Sequence, residues 1–100
     1  MNTKDASKLI EKEWELSGFF GRLRGGVFDN DRLNKLIQLL EDVELDLNDK
    51  IDRRFVSLIW YIPLFIGWQI ERIEDEKEID LLKKGRNKIE GLLEEILGIP

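Results

Sequence analysis

The sequence predicts an all-α protein, a compact bundle of four to five helices in a single domain spanning residues 1–100. Three observations carry that prediction. Apolar residues recur at three- and four-residue spacing in segment after segment, the period of a helix with one buried face. No run alternates with period two over enough length to compete as a strand. Acidic cap residues and glycines stand at the boundaries that these periods imply.

Thr3 or Asp5 is placed to cap the first helix, with Leu9, Ile10 and Trp14 on one face. Gly18 weakens it, and Phe19, Phe20 and Leu23 form a short helical turn that buries two aromatics before Gly25-Gly26 ends it. The second helix has the clearest start. With Asp29 as N-cap, Phe28 and Leu33 occupy the two positions of a hydrophobic staple. Leu33, Leu36, Ile37, Leu40 and Val43 repeat at helical spacing, and the polar run "ELDLND" closes the segment.

The third helix is expected to begin at Asn48 or Asp49, and Ile51, Phe55, Leu58, Ile59 and Ile62 form its stripe. Pro63 cannot donate to the Ile59 carbonyl, so the helix kinks or restarts there, with Ile66, Ile70 and Ile73 continuing a stripe beyond it. The last helix is expected from Glu78 to Leu97, with Ile79, Leu82, Ile89, Leu93 and Ile96 on one side. Gly85 and Gly91 each cost about 1 kcal/mol relative to alanine. They either permit close helix packing or lower the helix's own stability. Gly98 followed by Ile99 suits a Schellman stop.

Composition bounds the chemistry. Hydrophobic residues make up 42% of the chain, which argues against intrinsic disorder, and charged residues 37%, which suits helices with charged outer faces. The net charge is −5, from 16 basic and 21 acidic side chains. A protein that grips phosphates displaces counterions with a basic patch. This chain repels phosphates overall, so neither nucleic acid nor an anionic membrane is the expected ligand, and a basic protein partner is. Cysteine and histidine are both absent, which removes disulfides, thiolate metal sites and the commonest general base. Met1 to Lys12 lacks the apolar core of a signal peptide, so the cytoplasm is the expected address.

Phe55 to Ile70 is a run of sixteen uncharged residues bracketed by Arg53, Arg54, Glu71 and Arg72. A membrane span needs about 20 mostly apolar residues. The run is shorter and contains Ser57, Pro63, Gly67 and Gln69, so the expectation is a core helix pair and no membrane span. Trp60, Tyr61, Phe65 and Trp68 are nevertheless more aromatic surface than one buried face needs, and Trp and Tyr are favoured interface anchors.

No catalytic constellation emerges. None of Ser7, Ser17 and Ser57 sits in a nucleophile-elbow pattern. Calcium-loop registers started at Asp29 or Glu44 fail, placing Leu40 or Phe55 where the bidentate glutamate belongs. The internal "RLRGG" of Arg22 to Gly26 reads as a turn and contains no phosphate-cradling pattern. No enzyme activity, metal or cofactor is expected. The candidate partner-binding residues are acidic: Asp42, Glu44, Asp46 and Asp49 in one stretch, and Glu74, Asp75, Glu76 and Glu78 in another. Their simplest role is to solvate helix ends and favour the next helix start. Together they also suit docking to a basic partner.

"WELSGFFGRLRGGVFD" and "DRRFVSLIWYIPLFIGWQIERI" resemble the small helical immunity proteins encoded beside bacterial contact-dependent inhibition and other polymorphic toxins. The resemblance covers Trp14 to Ile73 and carries no binding residue over. It implies a cytoplasmic all-α protein that binds and blocks one cognate toxin domain, and an acidic chain suits a basic nuclease. The alternative is a self-associating structural domain that buries its surplus aromatics in a homodimer.

Overall fold

Asn2, not Thr3 or Asp5, caps the first helix: its side chain accepts the Asp5 amide at 2.8 Å. The computed structural model describes residues 1–45 and 50–100. Its helical segments are α1 (Thr3–Trp14), α2 (Phe19–Arg24), α3 (Asn30–Glu41), α4 (Arg53–Ile59), α5 (Ile62–Ile70) and α6 (Glu76–Leu97). There is no strand among the described residues. Trp60 and Tyr61 keep right-handed helical backbone angles between α4 and α5. These two segments therefore follow one another through a turn at Trp60 and Tyr61, with Pro63 in the first turn of α5, and counted together they give five helices among the described residues.

The caps follow local chemistry. Asp29 caps α3 as expected, accepting the Arg32 amide at 3.2 Å. Asp52 caps α4, accepting from Phe55 at 3.4 Å, so that helix starts later than the sequence suggests; Asn48 and Asp49 lie outside the described residues. Asp75 caps α6, whose first residue, Glu76, lies two residues before the expected start. Gly98 has the positive φ of 86° that favours glycine, but its ψ of 163° is extended. Its amide bonds to the Glu94 carbonyl, so the helix ends in an extended glycine and not in a left-handed Schellman turn.

α1 packs on α2, α3 and α4, while α6 packs on α3 and α5. The α4–α5 elbow thereby closes a ring of helices. α3 and α6 run in the same direction, since Leu33 lies against Gly85 and Glu41 meets Lys88. α2 fills the ring. Phe19, Phe20 and Leu23 are each at most 1% exposed. A Cβ at Gly18 would run into the backbone of Lys12 and Glu13, and one at Gly21 into Glu15 and Leu16. Both glycines are therefore needed for α2 to fold back against the end of α1. Glu13 joins the junction, accepting from the Phe19 amide at 3.3 Å and from Arg32 at 2.9 Å.

Most of the expected core is the observed core over α3 to α6, while Val43, Ile51, Ile70 and Ile79 are only partly buried. Leu33, Leu36, Ile37, Leu40, Phe55, Leu58, Ile59, Ile62, Ile66, Leu82, Ile89 and Leu93 are all buried. α1 differs: Ala6, Ser7 and Ile10 face inward, whereas Leu9 is 39% exposed. Ser7 stays buried because its hydroxyl donates to the Thr3 carbonyl at 2.8 Å. The radius of gyration, 13.4 Å, matches the roughly 13 Å of a compact chain this long.

Candidate functional site

The described residues of the two acidic stretches do not form one surface. Asp42 and Glu44 follow the C-terminal end of α3. The Asp42 carbonyl accepts from the Met1 amino group at 3.0 Å, and the Glu44 carboxylate lies 3.7 Å from the same group. Glu74, Asp75, Glu76 and Glu78 lie at the start of α6, which, with Gly85 against Leu33 and the two helices parallel, falls toward the N-terminal end of α3. The twelve residues of α3 rise about 18 Å, so the clusters stand at opposite ends of that helix. Asp46 and Asp49 lie outside the described residues.

Part of this acidity serves the fold. Asp75 accepts the Glu78 amide at 3.0 Å as the α6 N-cap, and Glu76 and Glu78 occupy the first turn, where the helix dipole favours negative charge. Asp42 accepts from the Gln38 side chain at 3.1 Å. Glu74 and Glu44 are exposed, and Glu78 is half-buried.

A different surface stands out on the elbow. Trp60, Leu64 and Trp68 are spaced four residues apart, and they are 51%, 49% and 53% exposed. Tyr61 lies half-buried between the tryptophans, edge-on to Trp60 at 5.3 Å and to Trp68 at 5.7 Å between ring centroids. Phe65 belongs to the interior, 2% exposed, and is not part of the aromatic surface. It meets Trp14 at 5.1 Å and Phe20 at 5.7 Å, both edge to face, and Trp14 stacks on Phe20 at 4.0 Å.

Tyr61 also lies 6.2 Å from Trp14. Aromatic contacts thus run unbroken from the α2 plug to the surface stripe. Trp14 is fixed by its indole N–H, which donates to the Leu58 carbonyl at 3.2 Å. The stripe therefore rests on an ordered aromatic core and not on a loop. Half-exposed tryptophans and a leucine present roughly 300 Å² of aromatic and apolar surface, the size at which a patch on a small protein is commonly functional.

Beside Trp60 and Tyr61 opens a cleft of about 370 Å³, whose other walls are Trp14, Ser57, Leu58, Arg24 and Arg54. The sequence marks the aromatics, and Arg24 with Arg22 as cations able to meet an anion, but gives no sign that Arg54 joins them; for Leu64 the only sign is its four-residue spacing from Trp60. Arg24 reaches the cleft only because α2 folds back. Among the described residues, no group of histidine, cysteine or carboxylates is gathered to hold a metal ion, and no helix is long and apolar enough to cross a membrane. Compared with family models, with curated proteins and with solved structures, the chain matches none.

Proposed function

We propose that this chain is a non-enzymatic protein-binding domain and, on the resemblance of Trp14 to Ile73, an immunity protein that binds and neutralises a cognate bacterial toxin domain. The observation that carries the binding role is the Trp60–Leu64–Trp68 stripe, two tryptophans and a leucine left half in water along α5 and the turn before it. Tryptophan anchors dominate many interfaces because they fill a pocket at low entropic cost. The exposed acids at the two ends of α3 would steer a basic toxin before the stripe engages.

The test is co-expression with the product of the neighbouring gene. The reading expects that product to arrest growth alone, to be tolerated with this chain, and to co-purify with it. It also expects Trp60→Ala with Trp68→Ala to abolish both rescue and co-purification. A neighbouring product that is neither toxic nor bound overturns the immunity role.

The second reading, self-association through the same stripe, draws on its apolar character. A two-fold contact would bury only about 600 Å² from the stripe itself, in the range of crystal contacts, and would bring two arginine-rimmed clefts together. A mass that rises with concentration would favour it.

A further inference from the structure

We infer that the cleft beside Trp60 and Tyr61 receives a carboxylate carried next to the apolar anchor of the protein partner. The inference rests on the stripe being a protein-docking surface and adds the chemistry of what docks. The charge of the cleft is opposite to that of the chain. The protein carries −5 overall, yet the charged side chains lining this cleft are Arg24 and Arg54, and the acid paired with Arg54, Glu11, is not part of the lining.

The two arginines differ in what they have left to offer. Arg54 donates its Nε to Glu11 at 2.7 Å, and among the described residues its terminal nitrogens have no other carboxylate partner. Arg24 has no carboxylate partner among the described residues. Its guanidinium instead rests over the Phe65 ring, 5.3 Å from the centroid. That placement holds a full charge at an aromatic wall, where a docking segment would displace water and strengthen an ion pair. A planar guanidinium meets a carboxylate through paired N–H donors. A segment whose leucine or aromatic lies on Trp60 and Leu64, with an aspartate or glutamate beside it, satisfies both halves of the site.

The experiment follows amide and indole signals of the ¹⁵N-labelled protein during titration with two short synthetic peptides. One interleaves leucine and phenylalanine with glutamate; its twin carries lysine in place of glutamate. The three tryptophans give three indole signals. The acidic peptide is expected to shift those of Trp60 and Trp68 and to bind at least about fivefold tighter than its twin, the upper range of one partly exposed ion pair. Arg24→Gln should remove most of that preference. Arg54→Gln is the second variant, and circular dichroism checks that both keep their helix.

Equal affinity for the two peptides, or a preference that survives both substitutions, overturns the carboxylate site while leaving the stripe as a docking surface. Failure of both peptides to move Trp60 or Trp68 overturns the inference and counts against the stripe itself. Sedimentation with phosphatidylserine vesicles stronger than peptide binding would assign the arginines to a lipid surface, and concentration-dependent shifts without peptide would assign the stripe to a second copy. Either result overturns the inference.

Discussion

Gly85 and Gly91 lie on the same helix, but a methyl group added to each meets different surroundings. At Gly91 it has nothing within 4 Å, so Gly91→Ala changes only backbone freedom and is expected to stabilise the protein by about 1 kcal/mol. For a domain of this size that raises the melting temperature by roughly 4–8 °C. At Gly85 the new Cβ would lie 2.6 Å from Leu33 Cδ2 and 3.2 Å from its Cγ and Cδ1. Leu33 is 1% exposed and has little space to retreat into.

Overpacking of that kind costs about 1–3 kcal/mol, against the same gain of about 1 kcal/mol in helix propensity. Gly85→Ala should therefore fall between neutral and about 2 kcal/mol destabilising. The difference between the two variants cancels the propensity term and isolates the α3–α6 contact at about 1–3 kcal/mol. Urea unfolding followed by circular dichroism measures both, with an unchanged denaturant slope confirming a common unfolded state. If Gly85→Ala stabilises the protein as much as Gly91→Ala, Leu33 yields freely and the close approach of α3 to α6 is not a packing constraint.

Ile59 is 0% exposed, and Ile59→Ala is expected to cost about 2–5 kcal/mol in the same assay; a loss below about half a kcal/mol would mean the site refills at little cost. Trp60→Ala with Trp68→Ala should change stability by less than about 1 kcal/mol per site while removing partner binding, because half of each ring is already in water. A large loss of stability would recast the stripe as core. Reversing Asp42, Glu44, Asp46 and Asp49 to lysine should slow association with a basic partner, and added salt should shrink the effect, as screening over about 8–10 Å requires. Reversal of Glu74, Glu76 and Glu78 is the parallel control, with Asp75 left intact because it caps α6. Binding as tight as wild type in both variants at low salt would remove the electrostatic part of the proposal.

The sequence by itself determined the helices and most of their inward faces. Asp29 and the Leu33–Ile37–Leu40 repeat, the Phe55–Ile62 stripe and the break at Pro63 are local chemistry: a cap, a period and a missing amide. It did not determine which aromatics of the elbow point outward. In α5 the apolar residues run nearly all round the helix, so the period carries little information about direction. Phe65 is buried and Trp68 exposed because α2 and Trp14 occupy one side and none of the described residues covers the other.

Tertiary structure also decided what the charges do. Seven residues of separation brought Arg22 to Asp29, a pair within local reach. Arg24 reached Phe65, and Arg54 reached Glu11, only once the ring of helices had closed. The described residues of the acidic stretches that composition groups together were set at opposite ends of α3 by the direction in which α3 and α6 run. Helical periodicity specifies which residues share a face; only the packing of distant segments specifies what that face meets.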